Sequence, residues 1–341
     1  MRPLVSVIVP CRNEAAFLER SIGSILASEY HGQIEVVVAD GMSVDGSRQI
    51  LAAMAARDPR LRVIDNADRI TPCALNRAIE SSRGEFVVRF DGHAVMPRDY
   101  VARCVELLES SGADNAGGSI RTIAQTGGIF SEPIALALRS RFGVGNSVFR
   151  TAGGQPGARS VDTVFGGCWR REIFSRIGGF NELLERGQDL EFNLRLRLAG
   201  GAIVLDPAIV CDYYARSGLA RFWRHNFSNG VWAVLPFSLS EIVPVRTRHL
   251  IPLAFVVMLA AGAGLPLPWS IAVPGAYMCA CAIASIRVAW TERRFAYLVL
   301  MPVVFASLHL AYGLGSAWGC LKLMAGKFFE RKGMHGSRIE T

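Results

Sequence analysis

Between Leu250 and Ile286 the chain carries no Asp, Glu, Lys, Arg or His, and between Phe295 and Leu321 the one such residue is His309. Each run exceeds the roughly 20 apolar residues that cross a bilayer, whereas a buried helix of a soluble domain stops nearer 14. Surface of that kind has to leave water, so the C-terminal third is expected in a membrane. The first run suffices for two spans joined by a tight turn near "GLPLPWS". The second is expected to span once or to form a re-entrant segment broken at Pro302 and at Gly313/Gly315. Gly315-x-x-x-Gly319 also suits close packing on another helix.

Charge supports the same division. The net charge is +8, and many of the bases flank the apolar runs: Arg246, Arg248, Arg287, Arg293, Arg294, Lys322, Lys327, Arg331 and Lys332. That placement suits anionic lipid headgroups and retention on the cytoplasmic side. The bases are not interleaved with aromatics in a stripe, so membrane lipids are the expected partner and nucleic acid is not. The N-terminal apolar run is too short for a signal peptide, and the first ~240 residues are expected in the cytoplasm, the chain being multi-pass in the inner membrane. Eight cysteines without a Cys-x-x-Cys pair signal neither a disulfide framework nor zinc.

The N-terminal part has a different rhythm. "VSVIVP" (5–10), "IEVVVAD" (34–40), "LRVID" and "EFVVRFD" are continuous apolar strands separated by helical periodicities such as Phe17, Leu18, Ile22, Ile25 and Leu26. Such strands belong to a parallel sheet covered on both faces, which binds ligands at its carboxyl ends. Asp40 and Asp91 both stand at strand ends. The glycine-rich stretch 143–163 predicts a mobile loop, "GQDLEFNLRLRLAG" a helix in which Glu191 and Arg195 pair, and "AIVLDP" a last short strand. The expected divisions are a catalytic domain over 1–215, an amphipathic membrane-interface segment over 216–249, a membrane segment over 250–324 and a basic tail over 325–341.

"RFDGHA" places Asp91 and His93 around a glycine. A carboxylate and an imidazole are too few for a structural metal site. They suffice for a divalent ion whose other ligands are phosphate and water. Alone, the three residues read better as a surface turn with two unrelated polar side chains. Asp189 opens a helix, where an acid is a cap or dipole partner as readily as a base. The dinucleotide-binding glycines and the P-loop pattern are both missing after the first strand, where "PCRNE" stands instead.

Taken in order, the motifs resemble family-2 inverting glycosyltransferases of the GT-A fold. "VSVIVPCRNE" resembles that family's strand and Pro-x-x-Asn-Glu turn, and "VVVADGMSVDGS" its nucleotide-binding aspartate with Ser-x-Asp-Gly. "RFDGHA" stands where the family has Asp-x-Asp, and "GGCWRREIFSRIGGFNE" with "GQDLEFNLRLRLAG" resembles its acceptor loop and base-bearing helix. The His form and the short apolar C-terminus look most like exopolysaccharide glucosyltransferases of the succinoglycan type. The resemblance implies an α/β fold with a mostly parallel sheet, helices on both faces and C-terminal transmembrane helices. It implies Pro10, Asn13, Glu14, Asp40, Asp45 and Asn76 at the donor nucleotide, Asp91 and His93 at a divalent cation (Mn2+ or Mg2+), and Asp189 as catalytic base. The implied reaction is a single, metal-dependent displacement moving a hexose, glucose from UDP-glucose, onto a lipid-linked saccharide acceptor. A polyprenyl-phosphate sugar transferase and a non-catalytic nucleotide-binding membrane protein are the alternatives. Two residues depart from the pattern: His93 replaces a second Asp, and Gln188 replaces the Glu before the base.

Overall fold

The computed structural model describes residues 2–125, 127–152, 157–215 and 218–325. The basic tail expected at 325–341 lies, apart from Ala325, outside the described residues. The chain divides into two compact units, one formed by residues 1–123 and 146–215, the other by 124–145 and 216–341.

The first unit begins β1 (Val5–Cys11), α1 (Ala15–Leu26), β2 (Ile34–Asp40), α2 (Ser47–Arg57), β3 (Leu61–Asp65), α3 (Thr71–Ser81) and β4 (Phe86–Arg89). It continues through β5 (Ala94–Val95), α4 (Tyr100–Ser111) and β6 (Asn115–Ala124). The chain then forms α5 (Ser131–Arg139) and α6 (Arg141–Val144) of the second unit before returning as α7 (Val148–Thr151), β7 (Arg159–Ser160), β8 (Phe165–Arg170), α8 (Glu172–Ile177), α9 (Gln188–Leu198) and β9 (Ile203–Ala215).

Among the described residues the strands form one sheet in the order β3-β2-β1-β4-β8-β6-β9-β5, with β7 on β9. The β3-β2-β1-β4 portion is parallel, as the continuous apolar runs predict. From β4 to β8 and from β8 to β6 the pairing turns antiparallel. Alternate residues serve opposite layers. Val5, Val7 and Val9 pack with Leu18, Ile22 and Ile25 of α1 and with Val101 and Val105 of α4. Ile8 and Val37 face the other way, onto Leu75 and Ala78 of α3 and Phe192 and Leu196 of α9. With both faces of the sheet covered, the carboxyl ends of the strands are where such an arrangement binds ligands.

Two expectations change. The last strand does not stop at Pro207 but runs to Ala215, because β9 takes β7 at Val204–Leu205 and β5 at Asp212–Tyr213, leaving the proline between the two pairings. Within 143–163, α7 and β7 are ordered elements, and residues 153–156 lie outside the described residues.

The second unit adds α10 (Leu219–Val234), α11 (Pro236–Leu239), α12 (Thr247–Gly262), α13 (Trp269–Thr291) and α14 (Tyr297–Met324). Two of these, α13 and α14, are long and apolar enough to cross a membrane; α12 is shorter. Their surroundings differ. Trp269, Ile271, Met278, Ile283, Ile286 and Trp290 of α13 are exposed, whereas Met301, Val304, Phe305, Leu308 and Ala311 of α14 are buried.

Of the two alternatives for this segment, the break that a re-entrant piece needs is absent, and α14 runs unbroken. Pro302 sits in its second turn, and the glycines serve packing instead of kinking. A Cβ on Gly315 would run into the Phe227 carbonyl, one on Gly230 into that of Tyr312, and one on Gly319 would lie 2.9 Å from the Val231 oxygen. Thus α10, expected as an amphipathic surface helix within 216–249, lies backbone to backbone against α14. Residues 124–145, expected inside the 1–215 domain, group with these helices because Pro133, Ile134, Leu136 and Ala137 of α5 bury an apolar face, and α5 packs on α14. Arg294 Nη1 donates to Glu132 Oε2 at 2.5 Å, and His309 sits 3.0 Å from the Phe142 carbonyl.

Candidate active site

The ends of β1, β2 and β3 form one side of the site. Asp40, the last residue of β2, is fully buried. Its Oδ2 accepts from the Ser43 N–H at 3.0 Å and from Arg48 Nη1 at 2.9 Å. Oδ1 is buried with no partner. A carboxylate oxygen without a donor is costly to bury, so it suits a ligand N–H or O–H. Arg48 continues to Asp65 at 2.9 Å, tying the end of β2 to the end of β3.

The turn after β1 is braced by its own polar groups. Asn13 adopts a left-handed backbone, φ 56°, which asparagine tolerates. Its Oδ1 accepts from the Val44 N–H at 2.9 Å, and its own N–H donates to Ser43 Oγ at 2.8 Å. Asp45 accepts from the Ala15 N–H at 3.0 Å and from the Ser47 hydroxyl at 2.6 Å. Desolvation works against its charge, yet these hydrogen bonds from Ser47 and Ala15 win and hold its carboxyl below the usual range. Pro10 pairs with Ala39 in the sheet, so Pro10, Asn13, Asp40 and Asp45 gather at one rim. Asn76 does not join them. Its Nδ2 donates to the Phe180 carbonyl and to Glu182 Oε1, both at 2.9 Å, and its Oδ1 accepts from the Phe180 N–H, so its amide is committed to the segment after α8.

The other side is built on β4. Arg89 ends that strand with its side chain 11% exposed. Gly166 of β8 makes room for it: a Cβ there would stand 2.7 Å from the Arg89 carbonyl. The guanidinium places Nη2 3.3 Å from Asp91 Oδ1 and Nη1 3.9 Å from Asp189 Oδ2. Burial disfavours the charge, but Asp91 and Asp189 outweigh it and raise the arginine's pKa. Two acids far apart in sequence therefore meet at one cation.

Asp189 reaches this point from the first turn of α9. Gly187, at φ 76°, turns the chain into that helix. Aromatic packing fixes the helix: Phe192 lies 5.6 Å from Trp169 and 4.6 Å from Phe180 between ring centroids. Arg195 pairs with Glu191 through two hydrogen bonds of 2.9 and 3.0 Å, as the spacing predicts. The Asp189 side chain is 40% exposed. The carboxylate thus stands partly in solvent at the start of the helix, with the Arg89 guanidinium beside it.

His93 faces Glu14, with Nδ1 3.3 Å from Oε1, and meets the Tyr213 ring edge-on at 5.1 Å. Pairing of Ala94 with Tyr213 between β5 and β9 brings the two rings together. Burial works against a charged imidazole, but Tyr213, the Glu14 hydrogen bond and Asp91 hold its pKa at about 10. Glu14, expected at the nucleoside, therefore stands on the cation side. Arg150 completes this wall, 5.5 Å from the Tyr213 centroid, with Nη1 buried and unpartnered.

The donor set fits a cation of the expected kind. Asp91 gives Arg89 only one oxygen, and His93 keeps Nε2 beyond the Glu14 contact. No group of three or more His, Cys, Asp or Glu able to hold a metal occurs among the described residues. Such an ion would therefore rest on Asp91 and His93 plus ligand oxygens, and the imidazole would have to shed its proton first.

The composition and order of these motifs match the description "Glycosyl transferase family 2" over residues 6–177. The chain belongs to this family. Among its relatives, the succinoglycan biosynthesis protein ExoA of Rhizobium meliloti is 32% identical over 91% of this chain and 92% of its own length. A Methanococcus voltae protein is 25% identical over 93% of this chain and 97% of its own. It is named dolichyl N-acetyl-alpha-D-glucosaminyl phosphate 3-beta-D-2,3-diacetamido-2,3-dideoxy-beta-D-glucuronosyltransferase. Among solved structures, the mannosyltransferase PcManGT of Pyrobaculum calidifontis, in complex with GDP-Man and Mn2+, superposes with a TM-score of 0.58 at 23% identity, covering 90% of this chain and 88% of its own. The fold is GT-A-like, and the chain is a glycosyltransferase.

Sequence reasoning missed Arg89, Arg48, Arg150 and Tyr213. Arg89 left a signal, being a charge inside an otherwise apolar strand. Arg150 left none, lying in a stretch whose glycines predict a loop.

Proposed function

We propose that this family 2 enzyme moves a sugar, glucose from UDP-glucose, onto a lipid-linked saccharide in the synthesis of a cell-surface polysaccharide, inverting the anomeric centre in one displacement. The observation that carries this reading is the convergence of Asp91 and Asp189 on the Arg89 guanidinium.

In this reading Asp40, with Pro10, Asn13 and Asp45 around it, receives the nucleoside of the donor. Asp91 and His93 hold a divalent cation, Mn2+ or Mg2+; when bound, it offsets charge on the departing nucleoside diphosphate. A carboxylate with an imidazole suits manganese better than magnesium. Asp189 takes the proton of the acceptor hydroxyl as that oxygen bonds to the anomeric carbon. The bond from that carbon to the diphosphate oxygen breaks, and the diphosphate keeps the electron pair.

The relatives' names support the acceptor class: one belongs to succinoglycan biosynthesis, the other carries a dolichyl-linked N-acetylglucosaminyl phosphate in its name. The exposed apolar face of α13 supports insertion in the bilayer, which keeps enzyme and lipid acceptor in one surface phase. We place the chain as a multi-pass protein of the inner membrane with its catalytic unit in the cytoplasm, Arg287, Arg293 and Arg294 facing that side.

The test offers membranes containing the protein a panel of nucleotide sugars with Mn2+ and either a lipid-diphosphate saccharide or a bare lipid phosphate. Transfer from UDP-glucose to the saccharide is expected. Transfer to the lipid phosphate alone would replace the acceptor, and no transfer or donor hydrolysis with any sugar would overturn the reading.

A further inference from the structure

The two carboxylates of the site do not stand free: both lean on Arg89. Its Nη2 is 3.3 Å from Asp91, while Nη1 stays 3.9 Å from Asp189, beyond a good hydrogen bond. Its Nε is buried with no partner. The guanidinium thus spends its closer contact on the acid expected to bind the cation and only a loose one on the acid expected to act as base. A fork of five donors on a planar group can bridge two carboxylates in a way lysine cannot.

We propose that Arg89 is a positioning residue that occupies Asp91 until cation and donor arrive, and then turns its hydrogen bonds onto Asp189. This rests on the roles given above to Asp91 and Asp189. Its first consequence runs against the usual effect of damaging a site. A cation beside Asp91 competes with an incoming metal, so removing it should strengthen metal binding to the free enzyme. Its second consequence is catalytic. Without Arg89 the base loses the guanidinium 3.9 Å from its carboxylate, and turnover should fall even when the metal is bound. A residue that merely supported the fold would lower both.

The experiment uses the full chain in detergent micelles and reads free Mn2+ by its paramagnetic resonance signal, with Mn2+ alone and with Mn2+ plus UDP. Arg89→Gln is expected to bind Mn2+ alone roughly three- to tenfold more tightly than the parent, from loss of a like charge close to the ion. Its kcat is expected to drop roughly 10- to 100-fold with donor KM changed less than about threefold. Arg89→Lys keeps the charge but not the fork. It should return Mn2+ affinity to within about twofold of the parent while recovering only part of kcat.

Asp91→Asn separates the failures. If it abolishes Mn2+ binding while Arg89→Gln binds Mn2+ no more tightly than the parent, the inference about Arg89 falls and the functional reading stands. If Asp91→Asn binds Mn2+ unchanged, the cation assignment falls and the inference with it. Should Arg89→Gln lose its melting transition, Arg89→Lys decides: parental kcat overturns the proposal, and a reduced kcat at unchanged donor KM supports it.

Discussion

Replacing Asp189 by Asn removes a proton acceptor and almost nothing else. The side chain is 40% exposed, and its arginine neighbour stands 3.9 Å away. An ion pair of that exposure contributes at most about 1 kcal/mol, so the melting temperature should move by no more than about 2–4 °C. General-base catalysis is worth a factor of about 10²–10⁴, equivalent to roughly 3–5 kcal/mol of barrier. The catalytic effect should therefore exceed the folding effect several-fold. Donor contacts at Asp40 and Asp91 are untouched, so the dissociation constant for UDP with Mn2+ should stay within about threefold. Initial rates of sugar transfer, a thermal melt in detergent and nucleotide titration measure the three quantities. A variant that turns over within threefold of the parent, or that loses donor affinity as far as it loses rate, would refute the assignment of Asp189 as base.

Asp40→Asn should weaken nucleotide binding at least tenfold and cost about 1–3 kcal/mol of stability, since the fully buried group anchors the Ser43 N–H and Arg48; titration and melting of the same sample check both. The imidazolium of His93 gives a pH window. Its pKa rises from 6.5 to about 10 on folding, so its stabilising contribution is complete below pH 6.5 and is lost as pH climbs through 10. His93→Gln should accordingly narrow the gap in melting temperature between pH 6 and pH 10, and an unchanged gap would count against the Glu14 pairing. Gly230→Ala or Gly315→Ala, each meeting a carbonyl of the facing helix, should lower thermal stability by about 1–3 kcal/mol, whereas Gly275→Ala on α13, with open space around it, should not.

Much of the first unit could be read from the chain because parallel strands and their covering helices are local signals. Val7, Ile8 and Val9, apolar without alternation, announce a strand buried on both faces, and the acids at strand ends follow from the topology. What the strand ends assemble was less legible. Arg89 stands in the same six-residue stretch as Asp91, yet its reach to Asp189 depends on how α9 packs on β8 through Trp169 and Phe192. The commitment of Asn76 to Phe180 and Glu182 likewise arises from a contact across the fold. In the second unit, apolar length announced the helices. Their continuity did not show, because Gly313, Gly315 and Gly319 serve equally as breakers and as small packing residues until a partner helix is in place.

The excursion of residues 124–145 has a consequence for synthesis. As the polypeptide emerges from the ribosome, the α5 segment appears long before α14, the helix that shelters it. Until the last hundred or so residues are made, Pro133, Ile134, Leu136 and Ala137 must wait in a nascent chain with their final neighbour still unwritten. The order of translation therefore asks for a temporary guardian, whether a chaperone or the lipid surface itself. A gene cut after codon 215 would yield a product whose sticky segment never finds shelter.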